Sequence, residues 1–162
     1  MDCVDQVQNN TTSHRIILEA DADVTVYGDR HRLEQVINNL LVNGIKYSPD
    51  ADQIIVQVKK QSDSVVVSVA DFGIGIPEDK VQYIFDRFFR VQESSTNFSG
   101  LGLGLFISAE IVKRHGGDIG VKSEIGKGSQ FWFTLPLSRY EEPAGTTASE
   151  ISDESLRAIS PN

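Results

Sequence analysis

The chain has 162 residues, of which 40% are hydrophobic and 23% charged, a balance typical of a folded domain. With 15 Lys and Arg against 23 Asp and Glu, its net charge of -8 argues against nucleic acid or an anionic membrane as a partner. The single cysteine, Cys3, excludes an internal disulfide. The chain carries no signal peptide and no long apolar run, so we expect a cytoplasmic protein or the cytosolic part of a membrane-anchored one.

Composition divides the chain into a polar N-terminal linker (1–13), one folded domain (14–138) and an acidic Ser/Thr-rich tail (139–162) predicted to be disordered. Apolar runs and apolar alternation predict six strands, at 15–19, 24–27, 53–59, 65–70, 118–123 and 129–136. Helical periodicity predicts helices from Arg30 to Tyr47, from near Glu78, and from about Leu103 to His115. Residues 91–100 are polar and predict a loop.

The first long helix should carry two different faces. Its apolar face is formed by Leu33, Val36, Ile37, Leu40, Leu41 and Gly44. Asn39, Asn43 and Lys46 follow one another at i,i+4 and i,i+3 spacing and therefore share an adjoining face, with Tyr47 at its border. Amide oxygens suit Mg²⁺ that also binds phosphates, and a lysine suits the phosphates themselves. The alternative is an ordinary solvated polar face.

Two further features indicate a ligand site. Asp71 ends a buried strand next to glycines, where a carboxylate can accept a hydrogen bond from an exocyclic amine such as that of adenine. Gly100, Gly102 and Gly104 precede the second long helix, whose first N–H groups can bind an anion. The structural alternatives are that Asp71 only caps a turn and that the three glycines only form a tight turn.

Four blocks occur in a fixed order: QVINNLLVNGIKYSP (35–49), DFGIGIP (71–77), FDRFFRV (85–91) and GLGLGLFI (100–107). They resemble the N, G1, F and G2 boxes of the catalytic ATP-binding domain of bacterial sensor histidine kinases. The ending HGGDIGVKSEIGKGSQFWFTLPL (115–137) is similar as well. This resemblance implies an α/β fold, a two-layer Bergerat-type sandwich. In it, helices cover one face of a mixed, mainly antiparallel sheet, and a mobile lid closes over ATP.

The resemblance assigns roles around the phosphates. It implies that Asn43 is the Mg²⁺ ligand, that Asn39 lies beside it in the same box, and that Lys46 contacts phosphate. It places Arg90 at the γ-phosphate, with Arg87 as a weaker candidate. Arg90 and Asn39 are accordingly the predicted catalytic residues, and the predicted cofactors are ATP and Mg²⁺.

The resemblance also assigns the base and the lid. Tyr47 would line the nucleotide, and Asp71 would accept from the adenine amine. The lid itself would be residues 91–99, with Phe88 and Phe89 anchoring it or facing a neighbouring domain. The remaining predicted nucleotide-binding residues are Gly73, Gly75 and Ile76 near the base, and Gly100, Leu101, Gly102, Leu103 and Gly104 near the phosphates. Two positions depart from the family pattern, Gly44 where Ala is usual and Leu101 where Thr is common.

The family's phosphoacceptor is a histidine followed by an acidic residue, in a separate helical dimerisation domain. His14, His31 and His115 are followed by Arg, Arg and Gly, so we expect them to be surface or structural residues. The predicted function is therefore phosphoryl transfer from Mg-ATP to a histidine of that other domain. A response regulator receiver domain would act downstream, and this chain would be a monomer.

Two other functions remain open on the sequence alone. One is an ATPase of the related chaperone and gyrase type, which places a Glu general base where this chain has Asn39. An amide cannot take a proton from water, and Glu34 lies five residues further back. The other is a non-catalytic ATP-sensing module.

Overall fold

The computed structural model describes residues 2–20, 24–90 and 101–137. In chain order they form α1 (Asp2–Asn10), β1 (Arg15–Ala20), α2 (Arg30–Tyr47), β2 (Gln53–Lys60), β3 (Ser64–Asp71), α3 (Glu78–Val81), α4 (Gly104–Arg114), β4 (Ile119–Glu124) and β5 (Gly128–Pro136). The predicted lid at 91–99, Gly100 and the predicted tail at 139–162 lie outside the described residues.

The strands form one mixed sheet in the order β1-β2-β3-β5-β4. β1 runs parallel to β2, whereas the three other pairings are antiparallel. Alternate residues of β3 and β5 are buried against the helices, among them Val67, Val69, Phe131 and Phe133. The predicted mixed, mainly antiparallel sheet is confirmed.

Helix α2 lies across the sheet as its amphipathic pattern predicts. Asp29 is its N-cap and accepts from the backbone nitrogen of Arg32 at 3.1 Å. Val36, Leu40 and Leu41 are fully buried in the core between α2, the sheet and α4. The polar face of Asn39, Asn43 and Lys46 therefore lies at the edge of this core.

Residues 24–27 do not form the strand that their alternation predicts. Val24 and Val26 pack partly buried against the core, whereas Tyr27 is 88% exposed. The alternation in residues 24–27 therefore reflects burial of one side of a segment that has no regular secondary structure. A strand also needs a hydrogen-bonded neighbour, which the pattern alone cannot supply.

The residues predicted only as a polar linker contain α1. Cys3 and Val4 are buried in the common core, and Gln8 ties the helix to the sheet. Its side chain accepts from the nitrogen of Ile16 at 2.7 Å and donates to the carbonyl of His14 at 3.1 Å. Burial raises the pKa of the Cys3 thiol, because the thiolate would lose hydration.

Gly44 leads to a first prediction, on stability. It is buried in the last turn of α2, and a Cβ there would meet the terminal methyl group of Ile54 at 3.1 Å. A shift of a few tenths of an ångström by that methyl group would relieve the contact, and alanine is favoured over glycine in a helix by up to about 1 kcal/mol. We expect Gly44→Ala to raise the free energy of unfolding, measured by urea denaturation. A lower value would show that the Ile54 side chain cannot yield.

Candidate functional site

One cavity of about 360 Å³ opens between α2, the first turn of α4 and the ends of β3 and β5. Helix α2 contributes Asn39, Asn43, Lys46 and Tyr47, so the polar face predicted from spacing does line a common space. The rest of the described lining is Val42, Asp71, Ile74, Gly75, Ile76, Ile84, Phe89, Arg90, Leu101, Gly102, Leu103, Gly104, Leu105, Ser129 and Phe131. Most of these added residues are apolar, as in a site for a flat organic ring.

Asp71 is the carboxylate of this lining, and it is only 5% exposed. Its Oδ1 accepts from the backbone nitrogens of Gly73 at 3.0 Å and Ser129 at 3.3 Å. Burial raises the pKa of Asp71 above its ordinary value, and these two N–H groups oppose that rise. A buried carboxylate in an apolar cavity is well placed to accept a hydrogen bond from a ligand N–H group.

Gly73 and Gly75 allow close backbone contacts around Asp71. A Cβ on Gly73 would overlap the carbonyl oxygen of Tyr47, which accepts from Ile74 N at 3.1 Å. Gly75 has φ +70°, and a Cβ there would overlap the carbonyl oxygen of Glu124. These glycines thus hold the loop against the end of α2 and against the β4–β5 turn. Gly75 lines the cavity, whereas Gly73 is not part of its lining.

The opposite side of the cavity is the start of α4. Leu103 is the N-cap and makes no side-chain capping bond. A Cβ on Gly104 would overlap Oδ1 of Asn39, so α2 and α4 approach closely at this point. The first turn of α4 therefore brings free N–H groups and the positive end of a helix dipole to the cavity.

Beside the first turn of α4, the segment that follows α3 is hydrogen-bonded to the residues that precede α4. Phe88 N donates to the carbonyl of Gly102 at 3.1 Å, and both residues have positive φ, +66° and +67°. Phe88 is 59% exposed, with the Arg87 guanidinium 4.8 Å from its ring centre. Phe89 instead packs inward, 5.8 Å from the ring of Tyr83. Of the two arginines, Arg90 lines the cavity.

The three histidines lie outside the cavity lining. His14 is buried, and its Nε2 lies 2.9 Å from the carbonyl oxygen of Ser48. His115 donates from Nδ1 to the carbonyl of Ile111 and accepts at Nε2 from Asp29 N. His31 is exposed at the start of α2.

Sequence reasoning missed several residues of the site. Ser129 and Phe131 reach the cavity from β5, and Ile84 reaches it from the segment after α3. Ser108, on α4, binds the side chain of Asn39. Ser129 and Phe131 belong to the ending that resembles the family, but no local pattern marks any of these four residues as part of a site. Only the sheet order and the packing of α4 on α2 bring them near Asp71 and Asn39.

The described residues contain no cluster of three His, Cys, Asp or Glu side chains that could hold a metal ion. In the same part of the chain, no helix has both the length and the apolar character needed to cross a membrane.

The mixed sheet, the helices on it and the cavity beside α2 and α4 define a nucleotide-binding α/β sandwich of the histidine kinase type. Residues 28–139 match the family described as histidine kinase-, DNA gyrase B-, and HSP90-like ATPase, and the chain belongs to that family. The resemblance found in the four boxes is thereby confirmed.

Two curated relatives illustrate the similarity. The chain is 41% identical over 125 residues to the sensor histidine kinase WalK of Bacillus subtilis, covering 75% of this chain and 20% of WalK. It is also 41% identical over 131 residues to the adaptive-response sensory kinase SasA of Synechococcus elongatus, covering 80% of this chain and 34% of SasA. The chain thus spans 20% and 34% of the length of these two relatives.

Solved structures support the same fold. The mycobacterial sensor histidine kinase MprB superposes with a TM-score of 0.74 at 26% identity, covering 83% of this chain and 89% of that one. Full-length ShkA, solved in complex with AMPPNP, gives a TM-score of 0.72 at 29% identity, covering 85% of this chain and 30% of ShkA.

Proposed function

We propose that this chain binds Mg-ATP and acts as the catalytic part of a two-component sensor kinase, donating the γ-phosphoryl group to a histidine of a separate helical domain. The observation that carries the proposal is the cavity itself. It joins a buried carboxylate among apolar side chains to a row of amides, a lysine and a helix N-terminus. This is the combination that a nucleobase and a polyphosphate require together.

The buried carboxylate and the N-terminus of α4 contact α2 at different positions along its length. Asp71 packs beside Gly44, since a Cβ on that glycine would lie 3.6 Å from the Cβ of Asp71. The start of α4 instead meets Asn39 at Gly104, and Asn39 is five residues before Gly44, or about 7.5 Å along the helix axis. We therefore assign the base to the Asp71 end, with Tyr47 and Ile76 beside it. The phosphates are assigned to the α4 end.

At the phosphate end, Arg90 would contact the γ-phosphate. Lys46 begins near the base end of α2, and its long side chain would extend along the cavity to bring a positive charge to the phosphates. Gly102, Leu103 and Gly104 would offer backbone N–H groups. Asn43 and Asn39 are neutral oxygen donors, which suit Mg²⁺ when phosphate oxygens complete its shell, so the residues present fit that ion. When bound there, Mg²⁺ would neutralise charge on the phosphates during phosphoryl transfer.

The phosphoryl group would pass from ATP to an imidazole nitrogen of the partner domain, leaving ADP in the cavity. We assign this acceptor to another domain, because His14 and His115 are engaged with the backbone of this chain, and His31, exposed at the start of α2, lies outside the cavity lining and is followed by Arg32. The helical dimerisation domain and a downstream receiver domain are thus proposed partners, and this chain alone is proposed to be monomeric.

Hydrolysis by the isolated chain is expected to be slow, which separates the kinase from the related ATPases. Asn39 donates its amide to Ser108 and has no basic character. Glu34, the preceding acidic residue of α2, accepts from Arg30 at 2.7 Å near the start of the helix. A turnover near one per second that disappears in Asn39→Ala would favour the ATPase.

The test is calorimetric titration with AMPPNP, with and without Mg²⁺. In Asn43→Ala we expect Mg²⁺ to lose its tightening effect, which lowers the affinity for Mg-AMPPNP about tenfold or more, equivalent to about 1.4 kcal/mol. Asn38→Ala is the matched control, because Asn38 lies on the same helix outside the cavity lining.

Two outcomes would contradict the proposal. Equal Mg²⁺ dependence in Asn43→Ala and the wild type would overturn the assignment of the metal ligand. Failure of the wild type to bind millimolar AMPPNP would favour a module that no longer uses nucleotide.

A further inference from the structure

The side chain of Asn39 is held by α4 in a way that the nucleotide site alone does not require. Its Nδ2 donates to the hydroxyl oxygen of Ser108 at 3.0 Å, a bond between residues 69 positions apart. Ser108 is 1% exposed and lies outside the cavity lining. A buried hydroxyl behind the site therefore binds an amide that lines it.

Both ends of this amide meet the same face of α4. The nitrogen contacts Ser108, and the oxygen lies against Gly104, where a Cβ would overlap it. Gly104 and Ser108 are four residues apart and so lie one above the other on the helix. Because Ser108 takes up the nitrogen, the amide oxygen is the atom left beside the first turn of α4.

We propose that Ser108 is a positioning residue for the phosphate end of the cavity, acting through Asn39. This inference rests on the proposed function, since it concerns how that site holds Mg²⁺-bound phosphates. Without the hydroxyl, the amide nitrogen would be half-buried with no acceptor, and other rotamers of Asn39 would become favourable. The oxygen would then no longer be fixed beside Gly104.

The test compares two ligands, one that reaches the phosphate end and one that does not. In Ser108→Ala we expect about three- to tenfold weaker binding of Mg-AMPPNP, as for loss of one hydrogen bond, with the affinity for adenosine unchanged. The matched control is Ser68→Ala. Ser68 is also buried and also accepts from a side-chain amide, that of Gln130 at 3.3 Å, but on β3 outside the cavity lining. It should leave both affinities unchanged.

A double-mutant cycle distinguishes positioning from a structural role. If Ser108 acts through Asn39, then Ser108→Ala should have no further effect on Mg-AMPPNP binding in an Asn39→Ala background. Equal effects in the two backgrounds would overturn the proposal. So would a parallel loss of adenosine affinity in Ser108→Ala, because that pattern indicates general damage to the fold.

Ser108→Cys provides the test if the alanine variant does not fold, since its somewhat larger thiol fills the space of the hydroxyl but is only a weak acceptor. It should weaken Mg-AMPPNP binding in the same way, and wild-type affinity in a folded Ser108→Cys protein would overturn the inference. If the wild type binds adenosine and Mg-AMPPNP but Ser108→Ala is unchanged, only this inference fails. If the wild type binds neither ligand, the proposed function fails as well.

Discussion

Asp71→Asn is expected to lower the affinity for adenosine and for AMPPNP about 10- to 100-fold, as for loss of a hydrogen bond to a charged group. The wild-type carboxylate accepts from Gly73 N and Ser129 N at one oxygen. In the variant, the amide oxygen would take that place. The NH₂ group would then face the exocyclic amine of the base, so that a donor opposes a donor.

The same substitution should not weaken the fold. Burial raises the pKa of Asp71 in the folded protein above its ordinary value of 3.8. At a pH between the ordinary and the raised pKa, the folded protein keeps a proton on Asp71 that the unfolded chain has released. Stability therefore falls as the pH rises through this interval, and at neutral pH the ionised carboxylate is a cost to the fold. Asn removes that cost while its oxygen can still accept from both N–H groups.

Calorimetry and thermal unfolding at pH 7 measure the two effects separately. Asp50→Asn, a change at an exposed aspartate, is the control and should alter neither. In the wild type, the affinity for adenosine should also fall as the pH drops through the raised pKa of Asp71. Unchanged adenosine binding in Asp71→Asn would show that this carboxylate does not recognise the base.

The elements that the sequence predicts well are those whose determinants are local. Asp29 caps α2, and the apolar and amide positions then follow with helical spacing, so both faces of that helix can be derived from the chain alone. Asp71 is likewise marked by the strand before it and the glycines after it. In contrast, α1 has few apolar residues, and its burial depends on packing against α2 and β1.

The parts of the site that were missed depend on contacts between distant segments. Ser129 N reaches Asp71 across 58 positions, because β5 pairs with β3 in register. Ser108 reaches Asn39 only because α4 packs on α2. The contacts of the glycines are likewise not predictable from the local sequence. The motif predicts that Gly73 admits the base, whereas the structure places the carbonyl of Tyr47 against it.

That contact leads to the second large effect, a loss of stability in Gly73→Ala. The added Cβ would overlap the carbonyl oxygen of Tyr47 and lie 2.7 Å from the Cα of Ser48. Both neighbours are backbone atoms. They are also fixed, because Ser48 is fully buried and its hydroxyl donates to the carbonyl of Gly44 at 2.6 Å. At Gly44 the contact is instead with the end of a side chain, at 3.1 Å, and a small shift of that methyl group would relieve it.

We therefore expect Gly73→Ala to lower the free energy of unfolding by about 3 kcal/mol, the upper part of the range for overpacked sites. The midpoint of thermal unfolding should fall by about 10 °C. Trp132, the single tryptophan, lies on β5 and gives a fluorescence signal for urea denaturation. Nucleotide affinity should fall as well, because the loop that holds Asp71 would separate from the end of α2 that carries Tyr47.

Gly44→Ala is the matched comparison, since it adds the same methyl group in the same part of the fold, three residues before the Tyr47 that Gly73 contacts. The two substitutions should change stability in opposite directions, because the contact at position 73 is with backbone and that at position 44 is with a side-chain methyl group. A Gly73→Ala protein within about 1 kcal/mol of the wild type, the ordinary effect of a point mutation, would show that the loop can move away from α2. The close approach of Gly73 to Tyr47 would then not be what positions Asp71.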